Sequence, residues 1–60
     1  MVFKLRVRCD NAAFSGGNAA SELGRILKEV AAKLEQFSPD GPIMDASGNR
    51  VGIYGFTDDQ

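Results

Sequence analysis

Lys4, Arg6 and Arg8 stand at every second position near the start of this chain, and Arg50, Tyr54 and Phe56 follow near its end. Cations at a spacing of two line one side of an extended strand. Such a row attracts anions, whether carboxylates of an acidic protein surface or phosphates of a nucleic acid. A tyrosine and a phenylalanine beside it would add rings on which unpaired bases stack. The plain alternative is a solvated strand face whose long aliphatic stems shield the two rings.

Other chemistry is thinly supplied. The chain has no histidine and one cysteine, Cys9. The commonest acid–base and metal-ligand side chain is therefore absent, and no paired metal-ligand spacing exists. Cys9 alternates with Phe3, Leu5 and Val7, which directs it into the core instead of toward an activating base. Ser15-Gly16-Gly17-Asn18 precedes a helix but lacks the lysine and hydroxyl residue of a P-loop and the third glycine of a dinucleotide fingerprint. It reads as a flexible loop entering a helix. Asp58 and Asp59 belong to a solvated polar tail over 58–60. These residues imply no enzyme, no metal and no cofactor.

Sixty residues correspond to one small domain, residues 1–60. A domain of this size buries only about 60% of its unfolded surface, which makes self-association a reasonable expectation. Net charge is −1, with 43% hydrophobic and 25% charged residues. That balance argues against avid, nonspecific attachment to nucleic acid or an anionic membrane. A lone cysteine excludes an intrachain disulfide framework, and the alternating N-terminus resembles neither a signal peptide nor a membrane span. A reducing cytoplasm is the expected compartment.

The elements that must position the cations follow from periodicity. Strict alternation predicts a strand over 2–10, with Phe3, Leu5, Val7 and Cys9 on one face. Phe14, an aromatic within a polar loop, is expected to fold back on the core. Leu23, Ile26, Leu27, Val30, Leu34 and Phe37 recur at steps of three and four, which predicts a helix over 19–36. Asn18 is its expected N-cap, and Glu22, Arg25, Glu29 and Lys33 its solvated side. A hairpin over 42–57 follows. Pro42 confines the second strand to an edge. Asp45-Ala46-Ser47-Gly48 suits a type I turn with Gly48 at positive φ as a bulge. The predicted fold is α+β: a two-layer β-α-β-β domain, one helix on a three-stranded antiparallel sheet of order 1-3-2.

The turn at Gly48 sets which side of the last strand is buried. With Asp45 opposite Asn49 and Ile43 opposite Val51, the helix would cover Ile43, Val51 and Ile53. Met44, Arg50, Tyr54 and Phe56 would then share the outer face with Lys4, Arg6 and Arg8. A slip of one residue would bury Tyr54 and Phe56 instead.

Asp10-Asn11-Ala12-Ala13-Phe14 and Asp45-Ala46-Ser47-Gly48-Asn49-Arg50-Val51-Gly52, with the helix start Leu23-Gly24-Arg25-Ile26-Leu27 between them, resemble short uncharacterised proteins of bacteriophages and prophages. That family brings no established activity and no functional residue. The resemblance implies a bacterial host cytoplasm, where small phage accessory proteins often work by occupying host protein surfaces. The expected function is a noncatalytic interaction module. It would bind a host protein, or a second copy as a homodimer, through Lys4, Arg6, Arg8, Arg50, Tyr54 and Phe56. Single-stranded nucleic-acid binding by the same residues is the alternative, and no membrane partner is expected.

Overall fold

The computed structural model describes residues 1–58, so the last two residues of the polar tail lie outside the described residues. Strand β1 spans Val2–Val7, a 3-10 turn Ala12–Phe14, helix α1 Ala19–Glu35, strand β2 Gly41–Met44 and strand β3 Arg50–Thr57. The sheet is antiparallel throughout in the order β1-β3-β2, with the helix on one face. This is the α+β arrangement that the periodicities predict.

The ladder of β1 ends sooner than the alternation of its residues. Arg8 N–H donates to Val51 O at 2.8 Å, and the chain then leaves the sheet. Cys9 is exposed, not buried. Alternation places a side chain in the core only while the strand stays paired, and here pairing yields to a turn. Asn11 organises that turn by accepting from Ala13 N–H at 3.0 Å, which sets the 3-10 turn and buries Phe14.

Helix α1 buries Ile26 and Val30 and packs Leu34 against the same core. Its start is not capped as expected. Asn18 accepts Glu22 N–H through its main-chain oxygen, and its side chain makes no cap hydrogen bond. Its end is a Schellman motif: Phe37 N–H reaches Leu34 O at 3.1 Å and Ser38 N–H reaches Lys33 O at 2.9 Å. Phe37 occupies the left-handed position of that motif with φ 63 and is 92% exposed. It therefore leaves the apolar stripe to which its spacing assigned it.

The hairpin turn forms as expected. Gly48 N–H donates to Asp45 O at 3.1 Å, Asp45 N–H donates to Asn49 O at 2.8 Å, and Gly48 takes φ 85. The register beyond it does not. Met44 opposes Arg50, but Ile43 opposes Gly52, so Val51 is an extra residue in β3. Such a bulge reverses the parity of every later side chain. Val51 stays in the core and Tyr54 joins it at 2% exposure, while Ile53 is 52% exposed. Tyr54 Oη donates to Ser38 O at 2.9 Å, which satisfies its buried hydroxyl.

Gly52 is what permits this path. A Cβ on Gly52 would lie 1.9 Å from Arg6 O, in the backbone of the neighbouring strand. Gly52→Ala should therefore cost about 3 kcal/mol, because the clash is with main chain that cannot rotate away. Urea denaturation would show it as a lowered midpoint. Phe37→Gly should act in the opposite sense. It relieves the left-handed strain without removing a buried contact, and should raise stability by about 0.5–1 kcal/mol in the same measurement.

Candidate interaction face

The face of the sheet turned away from α1 carries the cations. Cross-strand partners share a face, and the register pairs Lys4 with Gly55 and Arg6 with Ile53. Lys4, Arg6, Asp40, Ile53, Tyr54, Gly55, Phe56 and Thr57 line an open groove of about 400 Å³. Gly55 is part of this lining, and a Cβ there would lie 3.0 Å from Asp40 Cβ. A second depression of about 260 Å³ lies between Arg8, Arg50, Gly52 and Ile53. Lys4, Arg6, Arg8 and Arg50 thus flank the exposed side chain of Ile53, and Met44, opposite Arg50, is a second exposed apolar side chain. Arg8 also approaches Asp10 at 4.0 Å, an exposed pair that contributes little.

Two of the expected residues, Tyr54 and Phe56, reach the groove lining but belong by register to the other face of the sheet. Tyr54 is a core side chain, and Phe56 shares its face, because Leu5 opposes Tyr54 and Phe3 opposes Phe56. The Phe3 and Phe56 rings meet at 5.1 Å between centroids, and Phe3 lies 6.3 Å from Tyr54. The bulge at Val51 is the physical cause. The register therefore puts Tyr54 and Phe56 on the helix face, and they contribute to the groove lining without standing on the outer face as the stacking platform expected for unpaired bases. Sequence reasoning placed Ile53 in the core and did not single out Asp40. The signal that would have found Ile53 is Gly52, since a glycine inside a strand close to a hairpin marks a bulge.

A second polar assembly joins the hairpin to the rest of the chain. Asp45 is buried, and Oδ1 accepts Ser47 N–H at 2.9 Å and Asn49 N–H at 2.8 Å. Its Oδ2 accepts Asn11 Nδ2 at 2.7 Å and Asn49 Nδ2 at 3.2 Å. Glu22, expected on the solvated side of the helix, is buried too. Its Oε1 accepts Arg25 Nε at 3.0 Å, and its Oε2 accepts Arg25 Nη2 and Ala46 N–H, each at 2.8 Å. Arg25 also bridges to Glu29 and donates to Met44 O at 3.3 Å. A helix of purely solvated charges would have no reason to point one at the turn. Here the unpaired N–H of Ala46 supplies the reason.

Two neighbouring carboxylates resemble an acid–base pair, but their environment works against that chemistry. The Asn49 N–H is the largest influence on Asp45 and, with the amides of Asn49, Asn11 and Ser47, holds its carboxyl below the ordinary 3.8 against the opposing effect of burial. The Arg25 hydrogen bonds hold Glu22 below the ordinary 4.5, again against burial, and the charge of Asp45 opposes them only weakly. Glu22 in turn raises the Arg25 guanidinium. A general acid at neutral pH needs a raised carboxyl, and both of these move the other way. Among the described residues no group of His, Cys, Asp and Glu side chains is arranged to hold a metal ion. No helix among them is long and apolar enough to cross a membrane. No protein-family model, curated protein or solved structure matches the chain.

Both carboxyls are lowered on folding, so the stability they contribute is complete above their ordinary values and declines as pH falls through the lower folded-state values. The melting temperature should fall steadily between about pH 5 and pH 3. Asp45→Asn should melt lower at neutral pH, because an amide cannot accept four donors. Its melting temperature should also change less over that acid range, as followed by circular dichroism.

Proposed function

We propose that this chain is a noncatalytic interaction module that docks an acidic surface of a partner protein on the outer face of its sheet. The observation that carries this reading is Ile53, half exposed beside Lys4 and Arg6 in one depression and beside Arg8 and Arg50 in the next. The chain as a whole has a net charge of −1, yet four of its seven cations lie on this one face. An exposed aliphatic centre with a charged rim is the usual anatomy of a protein contact. The cations would steer an acidic partner, and Ile53 would supply the apolar contact. A second copy is a poorer occupant, because it would set the same cations against one another. Single-stranded nucleic acid loses its strongest argument now that Tyr54 and Phe56 lie on the other face. The resemblance of 10–14 and 45–52 to phage and prophage proteins favours a host protein in a bacterial cytoplasm as that partner.

The variant Arg6→Glu combined with Ile53→Ala tests the reading without touching the core. It should abolish recovery of proteins that wild-type bait captures from a bacterial extract, scored by quantitative mass spectrometry. Its circular dichroism spectrum should not change. Equal recovery by the variant would overturn the proposal. Tight oligonucleotide binding at low salt, lost in the same variant, would transfer the face to nucleic acid.

A further inference from the structure

Among the described residues the outer face ends at an open sheet edge. β3 is central and β2 is one border, but β2 is four residues long and includes Pro42, which has no N–H to offer. The other border is β1, six residues without proline or glycine. Arg8 N–H points to β3, where it meets Val51 O. Main-chain groups of successive residues point to opposite sides of an antiparallel strand. Arg6 and Lys4 therefore also direct theirs toward β3, and Phe3, Leu5 and Val7 direct theirs to the edge. Along that edge the outer side chains are Lys4, Arg6 and Arg8, and the helix-side ones are Phe3, Leu5 and Val7. Phe3 is 40% exposed, so the helix leaves this border of its own face partly open.

We propose that the edge of β1 takes an extended acidic segment of a partner protein as a fourth strand. The proposal rests on the outer-face reading and specifies how the partner engages it. An added strand would satisfy the outward main-chain groups of Phe3 and Leu5 and the N–H of Val7, whose carbonyl already accepts from Cys9 Sγ at 3.8 Å. Its alternate side chains would fall on the two faces. Those on the outer face lie beside Lys4, Arg6 and Arg8 and must be acidic; those on the helix side lie beside Phe3 and Leu5 and must be apolar. A second copy fails this requirement. Any register that keeps apolar residues on the helix side also places cation opposite cation, and like charges directly opposed destabilise a strand pair. The same cations that prevent edge-to-edge self-assembly select a partner of opposite charge.

The probe is a short synthetic peptide alternating glutamate and valine, with a lysine–valine peptide as control, titrated into the full chain. Binding should weaken with added salt. Amide exchange followed by NMR should slow about tenfold or more at Phe3, Leu5 and Val7. Arg6→Glu should weaken binding by about tenfold. Phe3→Pro removes an outward N–H without breaking the β1–β3 ladder, and should weaken binding while the circular dichroism spectrum is kept. If the glutamate peptide binds but the three amides stay fast, strand addition is overturned and outer-face docking stands. Equal binding of the lysine peptide, or no binding of the glutamate peptide, overturns an acidic fourth strand. Protection of the three amides in a peptide-free dimer, seen by sedimentation at two concentrations, would assign the edge to a second copy.

Discussion

The buried carboxylate of Asp45 is the constraint on which the rest of this fold depends. It collects two main-chain N–H groups of its own turn and side-chain amides from Asn49 and Asn11. Asn11 belongs to the turn that follows β1, so one carboxylate ties the exit of the first strand to the tip of the hairpin. Glu22 fastens the same tip to the first turn of the helix through Ala46 N–H. A chain this short has little core with which to hold three elements in place. Buried, fully partnered carboxylates fix geometry in a way that apolar contact alone does not, because each lone pair specifies a direction.

With the tip held, the register of the hairpin has little freedom. Asp45 stays opposite Asn49, and at the far end Gly41 opposes Tyr54, whose hydroxyl is held by Ser38 O. Between those two pairs β2 has four steps and β3 has five. One residue must be extra, and Val51 is that residue. A bulge requires backbone to approach backbone, and Gly52 next in line allows it. Burial of a hydrogen-bonded tyrosine together with Val51 outweighs the exposure of Ile53, since an aromatic side chain removes more apolar area from water than an isoleucine does.

This sequence of causes explains what was legible in the sequence and what was not. Strand, helix and hairpin are readable because each rests on local signals: a period of two at Phe3, Leu5 and Val7, a period near 3.6 at Ile26 and Val30, and the turn chemistry of Asp45 and Gly48. The strand order follows from Pro42 and chain connectivity. The burial of Glu22 and Asp45 depends on partners 24 and 34 residues away, Ala46 and Asn11, and no local pattern announces such pairs. Parity in β3 is harder still. It depends on a step count between two tertiary anchors, of which only the one at the turn can be read from sequence. Cys9 fails for a related reason, because alternation outlasts the ladder that gives it meaning. The cations of β1 could be placed correctly because their face follows from β1 alone, whereas Tyr54 and Phe56 could not.

The parity change also decides the character of the two faces. It moves both rings of β3 to the helix side, where Phe3, Tyr54 and Phe56 form a contiguous aromatic group. The helix packs most closely against the 3-10 turn and β2, so this group is well covered at Tyr54 and open at Phe3 and Phe56. In exchange the outer face receives one aliphatic side chain in place of two rings. A basic face with rings tolerates many planar ligands, since stacking asks little of its partner beyond a flat surface. A basic face whose exposed apolar side chains are aliphatic groups such as Ile53 and Met44 asks for more: opposite charge at defined positions and small apolar groups beside it. An extra residue in one strand, set by a carboxylate at the turn, thus narrows the range of ligands that the opposite side of the sheet can accept.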